Sequence, residues 1–239
     1  NTGQILGADI MLEYVYFTNR VKYEQLHRTF NSETEFKLDP TNTCLAGDYL
    51  HQGNLFGMAA LGALDDFSQL EQHRLIYESL VSLTLHEVGH TLGLNHNFYA
   101  SHLHSFKNIH DRIITEPVGL TSSVMDYVPA NVNDKPKHHG QFYSTTPGPY
   151  DVWAIEFGYT PPFESITDEK ERIKLLLSQS TKNELRFGND ADDMRSPGKG
   201  IDPRVNTSDM STDPVAYAKQ RMDIVRSLYP GLKKRYERP

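Results

Sequence analysis

Residues 86 to 97 read HEVGHTLGLNHN, a stretch of twelve that carries three histidines, a glutamate and two glycines. On a helix each residue advances about 100°, so with His86 at zero Glu87 lies near 100° and His90 near 40°, about 6 Å further along the axis. Both imidazoles and the carboxylate then share one arc. Zinc takes neutral imidazole nitrogen, and a catalytic site needs three protein ligands with a fourth position left open. His96 is the candidate third ligand, but a continued helix would aim it about 600° on from His90, away from the metal. The helix must break first, and Gly93 is where a break costs least, because glycine accepts the left-handed conformation that ends a helix. The spacing H-E-x-x-H-x-x-G-x-x-H therefore has a mechanical reading at every fixed position, where H-E-x-x-H alone is a much weaker signal. The chemistry it points to is hydrolysis with one Zn2+ ion: the metal lowers the pKa of a water towards ~7 and Glu87, as general base, takes its proton.

The elements that must position these residues follow from periodicity and turn chemistry. From about Leu70 to Leu92 the pattern is helical, and Val81, Leu85, Val88 and Leu92 form an apolar stripe whose line through Val81 and Val88 lies roughly 140° or more from His86, so one face is expected to pack and the other to hold the chemistry. ILGADIMLEYVYF, residues 5 to 17, reads as a strand, with a short helix expected through residues 20 to 30 and a polar, turn-rich stretch over 31 to 54. GMAALGAL, residues 57 to 64, reads as a tightly packed helix. Residues 97 to 149 show no sustained period and are expected to form a long, partly ordered excursion, of a length that is often functional. PYDVWAIEFGY, residues 149 to 159, reads as a short helix, and Thr167 as the cap of another. Residues 181 to 212 read as a loop or wrapping arm, followed by a last helix capped by Asp213, opened by Pro214 and stopped at Pro230 and Gly231.

The bulk numbers narrow the class. A chain of 239 residues with 38% hydrophobic and 23% charged residues fits a globular protein of ordinary domain size. A net charge of -7 has the wrong sign for a phosphate-backbone binder, so nucleic acid is not an expected partner. No apolar run approaches the ~20 residues of a membrane span. A first residue Asn1 without a basic start is expected for a piece cut from a longer precursor, with any export signal upstream. The single cysteine, Cys44, excludes an internal disulfide and a multi-cysteine zinc site, and is expected to be a small buried or half-buried residue.

With His86, Glu87, His90, Gly93 and His96 in place, the chain resembles the metzincin clan of zinc endopeptidases. SSVMDYV, residues 122 to 128, is similar to the clan's methionine turn; it puts Met125 beneath the metal, 29 residues after His96, and Tyr127 where astacin-like and serralysin-like members carry a tyrosine near the metal. DVWAIEFGY is similar to the helix after that turn, GADIML to the strand before the cleft-edge strand. Together with the DPR and DPVAYA segments, these look like the large bacterial zinc-dependent metalloproteases with a Met-zincin domain, over nearly the whole chain. The two strands and helix that clan members place before a GADI-like strand have no counterpart here.

The resemblance implies an α+β fold, a small twisted mixed sheet over the active-site helix, with a catalytic domain over 1–160 and a helical and irregular extension over 161–239 packed on it. It implies peptide or protein substrates, Tyr127 as an oxyanion donor, residues 128 to 147 as the wall of the substrate pocket, and a location outside the cytoplasm. Other polar clusters carry less. Asp126 and Asp151 are candidates to support a ligand or to end a turn and cap a helix. Asp190, Asp192 and Asp193 are acidic enough for calcium but lack the regular spacing of a calcium loop, which favours a solvated loop. His102, His104, His110, His138 and His139 have no ligand spacing and read as surface or cleft-wall residues. The rival readings are a zinc-containing but inactive peptide-binding or scaffold domain, and a zinc hydrolase acting on something other than a protein.

Overall fold

The structure is a computed structural model, and it describes residues 5–10, 44–63, 68–135, 139–193 and 202–236. In chain order its helices are α1 (Ala46–Ala63), α2 (Gln69–Thr91), α3 (Arg112–Val118), α4 (Pro149–Tyr159), α5 (Ile166–Ser178) and α6 (Pro214–Tyr236). Short 3-10 turns lie at Ala100–His102, Gln179–Thr181 and Asn183–Leu185. Among the described residues there is no strand, so the expected α+β architecture with a twisted mixed sheet is overturned. Residues 5–10 of the expected first strand belong to no regular element; its remainder, the helix expected over 20 to 30 and the first part of the turn-rich stretch lie outside the described residues. Where the chain does run side by side, at Asn131 and Phe142, a single backbone bond of 2.9 Å joins it. The Asn131 amide takes the other acceptors, donating to Ile109 O at 2.7 Å and Gln141 O at 2.9 Å. A side chain thus satisfies carbonyls that a ladder would otherwise pair.

The central pair is α1 on α2. α1 starts eleven residues before the expected GMAALGAL helix, at Ala46, and absorbs residues that read as turn. Its small residues have a packing reason: a Cβ on Gly57 would come within 2.8 Å of Leu75 Cδ2 on α2, and Ala60 and Leu61 are fully buried. α2 begins at Ser68, whose hydroxyl accepts from Glu71 N at 3.1 Å. Its buried row is Leu75, Glu78, Ser79, Ser82, His86 and Gly89, while Val88 is exposed. The helix therefore packs on the face that carries the chemistry and not on the expected Val81 to Leu92 stripe.

That burial is possible because Glu78, Ser79 and His86 on the row each meet a partner. Glu78 accepts from Phe142 N at 2.5 Å and Tyr143 N at 3.3 Å, with Arg74 beside it. Burial pushes its carboxyl above the ordinary value, and the two N–H donors and Arg74 oppose that shift. Ser79 accepts from Asn54 Nδ2 at 3.0 Å on α1. The described residues of the excursion over 97 to 149 accordingly form, apart from α3, a packed irregular layer, with Phe98, Met125, Phe142 and Tyr143 completely buried. Residues 128–133 and 139–144, expected to wall a pocket, are buried in this layer.

The later helices close the core. α4 follows its expected span, whereas α5 is capped by Ser165 rather than Thr167, its hydroxyl accepting from Asp168 N at 3.4 Å. Residues 206 to 212 run along the excursion, with Ser208 N donating to Tyr127 O and Ser211 N to Ser101 O. Asp213 caps α6 by accepting from Ala216 N at 2.9 Å, and the helix continues through Pro230 instead of stopping there. Ile224 and Leu228 of α6 join the core formed by α1, α2 and the excursion. No described helix is long and apolar enough to cross a membrane.

His110, whose ring lies 3.3 Å from the Gln220 amide oxygen on α6, titrates at about 4 because burial disfavours its charged form. The unfolded chain takes up this proton near 6.5, so it binds more protons than the folded protein between those values and stability falls as pH drops through that window. Urea midpoints at pH 7 and pH 4.5 should therefore fall less on acidification for His110→Gln than for the parent protein.

Candidate metal centre

α2 brings His86 and His90 together, with ring centroids 4.7 Å apart. The break after it is a Schellman turn: Gly93 N donates to His90 O and Leu94 N to Gly89 O, both at 3.0 Å, with Gly93 at φ +87°. The reversed chain returns His96 to within 5.4 Å of His86 and 4.9 Å of His90, centroid to centroid.

Each ring is oriented by an oxygen at Nδ1. His86 donates to Val124 O at 2.8 Å, His90 to Leu94 O at 3.0 Å, and His96 to the Asp190 carboxylate at 2.7 Å. Carbonyl and carboxylate oxygens only accept, so each Nδ1 carries the proton and each Nε2 presents a lone pair. Burial pushes His86 down to about 3, which keeps it a neutral ligand. For His96 burial is the largest cause and acts downward too, but the hydrogen bonds to Asp190 and Cys44 and the Asp190 charge together outweigh it and the net shift is upward.

The floor is the turn that carries Met125, itself fully buried against Gly89 of α2, where any Cβ would collide with the sulfur. Asp151, in the first turn of α4, holds this turn by accepting from Ser123 Oγ at 2.5 Å, Val124 N at 2.9 Å and Gly148 N at 2.9 Å. It is therefore both a helix cap and the brace of the carbonyl that orients His86. Asp126 accepts from Ser101 N at 2.9 Å. Tyr127 stands over the centre, its hydroxyl 2.8 Å from His96 Nε2 and accepting from Leu45 N at 2.9 Å. Burial raises its pKa, so it keeps its proton at neutral pH. Glu87 is half-buried beside them, Oε1 3.4 Å from Cys44 Sγ.

Two participants escaped the sequence reading. Cys44 is exposed rather than buried, and its sulfur joins the three histidines: one ligand atom from each of the four lies within 4.8 Å of the others. Nothing in spacing announces a partner 42 residues before His86. Asp190 belonged to a visible acidic cluster, yet its target, 94 residues away, was not readable. Among the described residues this is the only group of three or more metal-ligating side chains; Asp192 instead accepts from Asn189 N. The other histidines pin loops: His102 to Arg204 O, His104 to Gly119 O and His139 to Asn133 N. His138 lies outside the described residues.

The donor set fits zinc. His90 Nε2 is buried without a hydrogen-bond partner, a costly orphan that a metal would satisfy, and imidazole and thiolate are ligands zinc favours. Fold and site together define a mainly helical domain built round a histidine-rich metal centre. A family model described as Met-zincin matches residues 68–239, and the chain belongs to that family, within the metzincin-clan zinc metalloproteases. Comparison with curated proteins and with solved structures returned no match.

Replacing Asp190, whose side chain is 55% exposed, by Asn should weaken zinc binding by about tenfold, the lower end for groups that orient a ligand. Competition with a chromophoric chelator measures this. Gly93→Ala should cost about 1 kcal/mol of folding stability for the left-handed backbone, and Gly93→Asn less, by chemical denaturation.

Proposed function

We propose that this chain is a zinc endopeptidase domain, with His86, His90 and His96 as ligands, Glu87 as general base and Tyr127 as oxyanion donor. The observation that carries the reading is the convergence of three Nε2 lone pairs, each ring set by an oxygen at Nδ1, beside a carboxylate and a protonated phenol. When bound, zinc supplies Lewis acidity that polarises a carbonyl and brings the pKa of a water towards ~7. Glu87 follows His86 on α2 and so faces the same space; it takes a proton from the attacking water and returns it to the amine nitrogen that leaves. The Tyr127 hydroxyl lies 2.8 Å from His96 Nε2 here. Once that lone pair is committed to the metal, the phenol is free to donate to the oxygen that becomes negative as the peptide carbonyl turns tetrahedral.

A second reading is favoured by Cys44: with the thiol as fourth ligand the centre is closed, as in structural zinc sites, and the domain binds peptides or partners without cleaving them. Glu87→Gln separates the two. The variant should keep one zinc per chain and lose peptide cleavage by about 10² to 10⁴-fold. Cleavage of a mixed peptide library at the parent rate by the zinc-loaded variant would exclude Glu87 from the role.

A further inference from the structure

We propose that Tyr49 is a positioning residue that holds the Tyr127 phenol over the metal centre; this rests on the zinc endopeptidase reading above. Ala46, Tyr49 and Leu50 stand at i, i+3 and i+4 on α1 and so share one face, and Ala46 and Leu50 are buried in the core that Tyr127 joins. The Tyr49 ring is carried with them onto Tyr127: the two centroids are 4.9 Å apart and the planes are inclined by 26°, a stacked pair. Phe98 meets the same ring at 5.2 Å and 54°, and His96 at 4.7 Å and 60°. Phe98 and His96 come from the stretch after the helix break and Tyr49 from α1, so rings on two separate elements hold the phenol.

The stack is itself anchored. The Tyr49 hydroxyl lies 3.2 Å from Thr207 Oγ1, and Thr207 is buried. The next residue, Ser208, donates its N–H to Tyr127 O at 3.0 Å from a backbone at φ +65°. An L residue in that left-handed region is uncommon and is kept there only where its surroundings hold it. Two adjacent residues before α6 therefore fix the Tyr127 backbone and the end of the Tyr49 ring, while α1 brings that ring onto the phenol. An oxyanion donor works only at about 2.7 to 3.1 Å from the oxygen that becomes negative, and a displacement of ~1 Å costs up to ~10²-fold in rate. A phenol turns about two side-chain bonds, so the rings packed on it set where its hydroxyl stands. Tyr49 acts on the reaction through Tyr127, and its loss is expected in kcat rather than in KM.

The test uses the purified chain loaded with Zn2+ and a fluorogenic peptide drawn from the library that the parent protein cleaves. Tyr127→Phe sets the reference, with a loss of about 10² to 10³-fold in kcat for one oxyanion donor. Tyr49→Leu should lower kcat at least about tenfold with KM within about twofold, and Tyr49→Phe, which keeps the ring, should regain most of that loss. In the Tyr127→Phe background Tyr49→Leu should cost nothing further, because the group it positions is gone. A second readout needs no metal: in NMR spectra of protein with isotope-labelled tyrosines, the ring signal that Tyr127→Phe deletes should shift and broaden in Tyr49→Leu and stay near its parent position in Tyr49→Phe. Tyr49→Met takes the place of Tyr49→Leu if the urea midpoint shows that the latter does not fold. Parent kcat in the folded variant, an equal loss in the Tyr127→Phe background, or an unmoved Tyr127 signal overturns the proposal. Tyr127→Phe cleaving at the parent rate overturns it too, and leaves the endopeptidase reading standing if cleavage still depends on Glu87. Cleavage that does not depend on Glu87 overturns that reading, and the labelled ring still decides whether Tyr49 holds Tyr127.

Discussion

Three imidazoles can share one ion only if each turns the same nitrogen towards it, and that requires an oxygen behind each ring to hold the other proton. The rest of the molecule supplies those oxygens from three different places: Val124 O from the turn that carries Met125, Leu94 O from the break after α2, and the Asp190 carboxylate from the stretch between α5 and α6. Fixed ring orientations follow, and so does the burial of His86, since a ring pinned to a backbone carbonyl can sit in the core without an orphaned donor.

The same constraint explains the unusual packing of α2. A helix that must show His86 to a buried turn cannot keep its polar face in water. Its interior row therefore mixes Leu75 with Glu78, Ser79, Ser82 and His86, and Glu78, Ser79 and His86 are each answered by a donor or acceptor on α1 or the excursion. Removing either partner from such a pair leaves a buried charge or dipole uncompensated, which costs more than the bond itself gains. Asp151 performs the matching service from α4, bracing the turn on the far side of the ring. The irregular layer over 97 to 149 is held by these side-chain bonds where a sheet would use ladder bonds, and so it is ordered without strands.

The stretch over residues 86 to 96 was legible because its logic is local. A 100° advance per residue places His86, Glu87 and His90, and the left-handed turn at Gly93 returns His96; neither depends on anything beyond a dozen residues. The helix over 149 to 159 and the Asp213 cap were legible for the same reason. The failures share a cause as well. The Val81 to Leu92 stripe was apolar and periodic, but which face of a helix is buried is settled by what lies against it, and Val88 remains exposed. Residues 5–10 had strand composition, which is a preference for a pleated surface and needs a partner strand to become one.

Taken alone, the sequence determined which side chains of residues 86 to 96 could share one face, their spacing and the break, because helical pitch and turn geometry act over short range. Tertiary structure decided that the described chain is helical, that the chemical face of α2 is the buried one, and that Asp190 and Cys44 reach the metal centre. Those outcomes join residues 42 and 94 positions apart, and contacts between such distant parts of a chain depend on the packing of every element between them, which no local pattern encodes.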